Sequence, residues 1–392
     1  MTPNIKNTVS PSKTISIFGS TGSVGKKTFN IAMNLGYKIS AITCNKNHKL
    51  AISQAEAANV EYIGVACPES YKTIKDYFAN NKSVNVIPHD NITEISRIRT
   101  DICCMSIISP KSYLYTYEAL KYTKRLAISS KEAIITLGKL LISEAQKYNT
   151  EIIPVDSEHS SLFQCLKCTN LDSVQNLTIT ASGGGLRNLD EKDLSTITIS
   201  EALQHPTWKM GKKITIDCST MMNKAIEILE AAILFDFNID AINTLIHPQS
   251  IIHAIVTLKN KGQIASMYNP DMSIPISYSL TYPYLSQQNT TKHLNLADIS
   301  RLDFYDMKPW QKRSIDIAKE AYKNDKTIAL NSANDYAVNA FLSGQIKFND
   351  IWRVIENLLS KCNHNNISLE CIDSVINEYN AISKAFIYKY CS

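Results

Sequence analysis

The stretch Pro154-Val155-Asp156-Ser157-Glu158-His159 carries two carboxylates two residues apart. Val-Asp-Ser-Glu reads as the end of a strand, and alternation would put Asp156 and Glu158 on one face. Like charges held together either repel or share a hard divalent cation. A third carboxylate, Glu227, follows a run suited to an anion, Asp217-Cys218-Ser219-Thr220-Met221-Met222-Asn223-Lys224. Asp217, Ser219 or Thr220 can cap the helix expected after them. Asn223 and Glu227 are i, i+4 on one helical face, with Lys224 three residues before Glu227. A cation and amide donors near a helix N-terminus suit a phosphate monoester. The competing account is a Lys–Glu pair on a solvated face.

A second chemistry is written upstream. Gly19-Ser20-Thr21-Gly22-Ser23-Val24-Gly25 follows a predicted strand and opens a predicted helix. Glycines there allow a tight turn, close approach of a pyrophosphate, and close helix–strand packing. An NAD site expects Asp or Glu about 20 residues further on, for the ribose hydroxyls. Here that place reads Asn45-Lys46-Asn47. A lysine attracts a 2′-phosphate where a carboxylate would repel it, so NADP is favoured over NAD. The alternative is a solvated loop lysine.

Other segments have two readings each. His205-Pro206-Thr207-Trp208-Lys209-Met210-Gly211 sits in a long loop expected to be mobile. A tryptophan there acts either as a lid that excludes water or as a core anchor. Lys131-Glu132 follows a predicted parallel strand, at the carboxyl end where such sheets bind ligands. A surface ion pair is the other account. His247 and His253 read as structural. Cys165-Leu166-Lys167-Cys168 has no second pair at ligand spacing and reads as buried helical cysteine.

The elements that must position these groups alternate over residues 1–155. Strands are predicted at 14–18, 37–43, 62–66, 84–87, 101–107 and 125–129, and helices at 26–35, 50–59 and 70–80. That pattern is α/β, a doubly wound Rossmann-type parallel sheet. Residues 156–286 read as an α+β domain with an antiparallel sheet from 177–180, 244–246, 251–258 and 263–268, and with the mobile loop at 182–212. Residues 287–308 read as a linker and 309–392 as a bundle of four helices.

The chain has 392 residues, a formal net charge of +5 and ten cysteines. That length supports two or three cores. The mild positive charge suits a small anion; no basic, aromatic-interleaved stripe argues for nucleic acid. Scattered cysteines fit reduced cytoplasmic thiols. The first 13 residues show no signal core or transit pattern,. No apolar run approaches the roughly 20 residues that span a bilayer, so no membrane partner is expected.

Taken together the motifs closely resemble the 1-deoxy-D-xylulose 5-phosphate reductoisomerase family. GSTGSVG, SSKEA, PVDSEHS, SGGGLR, HPTWKMG, TMMNKAIE, HPQSIIHA, NPDMSIPI and ALNSAND occur in family order. The resemblance implies a Rossmann domain, a catalytic domain that also forms a homodimer, and a C-terminal helical bundle. It implies Mg²⁺ or Mn²⁺ on Asp156, Glu158 and Glu227, whose oxygens suit those ions. Lys131, Glu158 and His205 would be catalytic. Ser157, Lys131, Ser182, His205, Trp208, Cys218, Asn223, Lys224 and Glu227 would hold a phosphorylated sugar. NADPH would meet Gly19, Ser20, Thr21, Gly22, Ser23, Val24, Asn45, Lys46, Asn47, Ser130, Glu132, Gly211 and Met272. The implied reaction rearranges the sugar phosphate and reduces the aldehyde to 2-C-methyl-D-erythritol 4-phosphate.

The chain departs from the family at Cys218, where a phosphate-binding Ser is usual, and a thiol is a poorer donor. Ser130 stands where the family has an Asn cofactor contact, and Asn45 where it has Gly. Gly185-Leu186 replaces Pro or Ala followed by Phe. Two rival readings are another Rossmann reductase of the semialdehyde dehydrogenase type, which needs a nucleophilic cysteine, and a decayed homologue that binds nucleotide without catalysis.

Overall fold

The structure, a computed structural model, describes residues 13–205, 210–285, 291–362 and 367–390. The chain divides into two compact units, each assembled from separate stretches.

The first unit comprises Met1–Ser130, Ser143–Asp156 and Met272–Thr290. Its sheet has seven strands: β1 (Thr14–Phe18), β2 (Lys38–Cys44), β3 (Tyr62–Val65), β4 (Asn85–Pro88), β5 (Thr100–Met105), β6 (Thr123–Ile128) and β7 (Glu151–Pro154). All pair in parallel, in the order β4-β3-β2-β1-β5-β6-β7. Strands covered on both faces need apolar residues throughout. Ile15, Ile17, Ile39, Ile42, Ile63, Val65, Ile102 and Cys104 accordingly belong to one buried cluster. The order reverses beside β1, and such reversals open a crevice at the carboxyl ends of the strands. The Ser273–Thr281 helix adds Ile276 and Leu280 to the same core.

The second unit comprises Lys131–Ile142, Ser157–Asp271 and Thr291–Ser392. Its sheet contains β8 (Val174–Ala181), β9 (Ile242–Ile246), β10 (Ile252–Leu258) and β11 (Gln263–Met267), ordered β11-β10-β8-β9. β10 runs antiparallel to β11 and β8, but β8 and β9 are parallel. The sheet is therefore mixed, not antiparallel as expected. Helices 212–219 and 222–234 intervene between β8 and β9, allowing the chain to re-enter beside β8 in the same direction,.

Four longer helices form the C-terminal region: Pro309–Lys323, Thr327–Leu342, Asp350–Lys361 and Ile372–Tyr390. Trp310, Phe341, Phe348 and Trp352 link the first three of them edge to face,. Cys165 is buried, but Cys168 is exposed beyond the end of its helix, so only half of the expected buried pair is realised. Among the described residues no helix is long and apolar enough to cross a membrane.

Candidate active site

β7 ends at Pro154 and the next helix begins at Ser157. Asp156 and Glu158 are thus not alternate residues of a strand, as expected from sequence. The turn from strand to helix brings them together. Asp156 closes the first unit and is joined directly to Ser157. One oxygen from each of Asp156, Glu158 and Glu227 lies within 4.8 Å of the others.

Glu227 is 1% exposed on the Met222–Leu234 helix, so its surroundings and not solvent set its chemistry. Asn223 Nδ2 donates to its Oε1 at 2.6 Å, across one helical turn as the spacing predicts. Lys131 Nζ donates to the same oxygen at 2.9 Å. Lys224, also buried, donates to Glu158 Oε1 at 2.8 Å and to Glu227 Oε2. Burial works against the charge of Lys224, but Glu158 and Glu227 outweigh it and hold its pKa above the ordinary value. The solvated Lys–Glu pair is excluded, and Lys131 pairs with Glu227 rather than with its neighbour Glu132. Ser157, largely buried, donates its hydroxyl to Glu158.

Two residues that sequence reasoning passed over brace these carboxylates. His159 Nε2 donates to the Glu227 carbonyl at 2.8 Å, tying the two ligand-bearing helices together. Tyr268 donates its hydroxyl to the Ser157 carbonyl at 2.9 Å and stacks on His253. His159 was visible as part of the DSEHS motif. Tyr268 had no local signal for this role, because Ser157 is over a hundred residues away.

The expected capping by Asp217 and Ser219 does not occur. Residues Lys212–Ser219 are themselves helical, and the cap of the next helix is Met221, held at φ +64° without a side-chain cap bond. Ser219 instead donates to the Ala202 carbonyl at 2.8 Å. Thr220 Oγ1 does accept from the Met222 N–H, at 3.3 Å. Asp217 pairs with Lys213 at 2.8 Å, and Lys213 also meets Asp335 at 3.0 Å. Burial raises the carboxyls of Glu132 and Asp335 although Lys213 opposes this. Glu132 therefore faces a lysine–carboxylate cluster within the second unit.

Cys218 is on the last turn of its helix. Burial, and then the Glu227 charge, push its thiol up to about 12, against Lys131 and Lys224. This favours the neutral thiol over the thiolate. Ser182 Oγ and His205 Nε2 are hydrogen bonded at 3.1 Å. Burial and then Arg187 lower the His205 pKa, favouring its neutral ring. Trp208 lies outside the described residues. Gly211 caps the Lys212–Ser219 helix.

In the first unit the nucleotide turn is built as the sequence predicts. A Cβ on Gly25 would lie 2.1 Å from the Gly19 carbonyl oxygen, so only glycine lets the Ser23–Asn34 helix start so close to β1. The Gly22 cap lacks a side-chain bond, leaving first-turn N–H donors at Ser23 and Val24 to face an anion,. Ser20 is buried, its N–H bonded to the Thr43 carbonyl at 2.9 Å, while Thr21 is partly buried. Asn45, Lys46 and Asn47 are exposed just past β2, and Asn47 caps the His48–Ala58 helix. Ser130 is 1% exposed, and its hydroxyl has no partner among the described residues. Met272 packs against the first unit's core.

This arrangement can do specific chemistry. Three converging carboxylates without nitrogen or sulfur fit a hard divalent cation,. In the protein as described, Lys131 and Lys224 supply the neutralising charge. The glycine turn fits a pyrophosphate.

Comparison with known proteins bears on the same segments. Residues 15–138 match the profile of 1-deoxy-D-xylulose 5-phosphate reductoisomerase. Residues 152–235 and 267–383 match two profiles of that enzyme's C-terminal domain. The reductoisomerase of Shouchella clausii is 37% identical over 353 residues, 89% of this chain and 93% of that protein. That of Acetivibrio thermocellus is 38% identical over 352 residues, 88% and 92% of the two chains. A Zymomonas mobilis reductoisomerase solved in complex with NADPH superposes with a TM-score of 0.90 at 31% identity, covering 96% of this chain and all of that one. A second, in complex with NADPH, fosmidomycin and magnesium, gives 0.89 at 28% identity, covering 96% and 98%. With the fold, the glycine turn and the carboxylate cluster all in agreement, the chain belongs to the 1-deoxy-D-xylulose 5-phosphate reductoisomerase family.

Proposed function

We propose that Asp156, Glu158 and Glu227 hold the divalent cation with which this chain converts 1-deoxy-D-xylulose 5-phosphate to 2-C-methyl-D-erythritol 4-phosphate, using NADPH. The chain is an NADP-dependent oxidoreductase and isomerase of isoprenoid biosynthesis by the non-mevalonate route. The observation that carries the site assignment is the convergence of three carboxylate oxygens within 4.8 Å. When bound, Mg²⁺ or Mn²⁺ supplies Lewis acidity toward the substrate carbonyl.

The chain's own residues do the rest. Lys131 and Lys224 balance charge around Glu227 and orient the sugar's oxygens by donating hydrogen bonds,. Ser157 and Lys131 meet the sugar backbone. Ser182, His205, Asn223 and Lys224 hold the phosphate end, with Cys218 standing beside them. Trp208, outside the described residues, is assigned to the exclusion of water from the substrate. The Gly19–Gly25 turn receives the cofactor pyrophosphate, and Lys46 its 2′-phosphate. Ser130, Glu132, Gly211 and Met272 complete the cofactor's surroundings. A homodimer formed through the second unit is supported by β11, an edge strand on which Met267 is exposed,. The reduced cysteines support a cytoplasmic location.

A reductase that works through Cys218 is opposed by the raised pKa of that thiol. A decayed homologue is opposed by the intact cluster of carboxylates. The test is NADPH oxidation with 1-deoxy-D-xylulose 5-phosphate, with and without Mg²⁺. Turnover without the ion, or none with it, would refute the proposal.

A further inference from the structure

Ser182 and Gly183 follow the end of β8 at Ala181 and begin the glycine-rich loop. Gly183 has φ +81°, and a Cβ there would lie 2.8 Å from Arg187 Cβ and 3.3 Å from its Cδ. The stem of Arg187 is therefore laid directly on the Gly183 backbone, and the missing side chain is what admits it. One residue earlier, Ser182 Oγ bonds His205 Nε2 at 3.1 Å and accepts the Gly184 N–H at 3.3 Å. Arg187 is close enough to His205 to disfavour, after burial, a positive charge on its ring.

The loop on the far side of Arg187 is anchored. Lys308 Nζ donates to the carbonyls of Asn188 and Leu189, each at 2.9 Å, and Trp310 Nε1 to that of Leu189 at 3.1 Å. Leu186 is buried. The nearby carboxylate of Asp190 is taken by Lys308 at 3.1 Å. Among the described residues no ion pair or hydrogen bond engages the Arg187 guanidinium. A partly buried arginine whose stem is packed on Gly183, with no carboxylate partner and a serine–histidine pair beside it, has the charge and fork geometry for an oxyanion,.

We infer that Arg187 is a specificity-determining residue that recognises the phosphate dianion of the substrate at the Ser182–His205 pair. The inference rests on the proposed assignment of Ser182 and His205 to the phosphate end. Its charge distinguishes a phosphorylated sugar from the free sugar. It also explains why the loop carries glycine at 183, where any side chain would displace the arginine.

The test compares Arg187→Met and Arg187→Lys with the parent enzyme in steady-state assays under saturating NADPH and Mg²⁺, with inorganic phosphate as a competing anion. A lost charge-assisted bond predicts a rise in KM of about tenfold for Arg187→Met, with kcat within about twofold. The inhibition constant for phosphate should weaken by a similar factor, and Arg187→Lys should recover part of both. A far-UV circular dichroism spectrum and a cooperative thermal melt report that each variant is folded. If Arg187→Met or, should that variant not fold, Arg187→Lys keeps the parent KM and phosphate inhibition, the inference is overturned. Ser182→Ala separates the two levels. A raised KM in Ser182→Ala beside unchanged arginine variants removes Arg187 alone. Parent behaviour in all of them also removes the assignment of the phosphate end to Ser182.

Discussion

Lys213, at the start of one helix, and Asp335, in the middle of another that belongs to the C-terminal region, form an ion pair of 3.0 Å. Asp217 and Glu132 act on the same lysine, so one cation serves three carboxylates. The pairing joins the C-terminal helices to the segments that carry Lys131 and Cys218.

The charge imbalance has a pH signature. Burial, and secondarily Asp335 and Asp217 against Lys213, raises the Glu132 carboxyl above its ordinary 4.5. A raised acid stabilises the fold below its unfolded pKa, and that contribution is lost as pH climbs through the folded value. Glu132→Gln keeps the neutral shape at every pH. Its stability should match the parent's near pH 4 and exceed it progressively toward neutrality. Lys213→Met, which strands the carboxylates, should lose about 1–3 kcal/mol at pH 7. Thermal melts across pH 4–8 check both; a Glu132→Gln variant weaker than the parent at pH 7 contradicts the sign.

Glu227→Gln should abolish Mg²⁺-dependent turnover. Lewis-acid stabilisation amounts to several kcal/mol, so a loss of about a thousandfold in kcat is expected. NADPH affinity, belonging to the other unit, should change little. Wild-type turnover in this variant would remove Glu227 from the metal site.

Lys46 is exposed just past β2 with no carboxylate at Asn45 or Asn47. NADPH should therefore be preferred over NADH, and Lys46→Glu should narrow or reverse the preference. The measurement is kcat/KM for both cofactors in both proteins. Equal values in the unaltered protein count against the reading.

Cys218→Ser restores a hydroxyl where the family uses one. A hydrogen bond to a charged group contributes about 1.5–3 kcal/mol and a neutral one about 0.5–1.5. KM should fall by a few-fold to about tenfold, with kcat nearly constant. Ser219 is a poor substitute donor, since it is fully buried and committed to the Ala202 carbonyl. Ser219→Ala should accordingly lower stability and leave KM alone. The opposite pattern, a silent Cys218→Ser and a raised KM in Ser219→Ala, sinks the assignment.

What the sequence made legible is what local periodicity and turn chemistry encode. The apolar strands of the first sheet and the glycine turn declare themselves within a few residues. So does the Asn223–Glu227 spacing, realised as a bond across one helical turn. What it hid depends on distant partners. Asp156 and Glu158 converge because the strand stops at Pro154, and short-range alternation could not show where it stops. The parallel entry of β9 beside β8 is set by the helices between them. Tyr268 meets Ser157, and Asp335 meets Lys213, across more than a hundred residues, and nothing beside them in the chain marks these pairings.

The Ser273–Thr281 helix has a consequence for how the chain is made. Ile276 and Leu280 fill the core built on β1 and β2, yet they are synthesised after most of the second unit. A ribosome that has released only the first 156 residues exposes a sheet with part of its apolar cover missing. The first unit therefore cannot finish folding in the order of synthesis, and long-range closure of this kind is slow and leaves apolar surface open to aggregation. Cutting the gene after β7 should yield an insoluble nucleotide-binding fragment, and appending residues 272–290 through a short linker should rescue it.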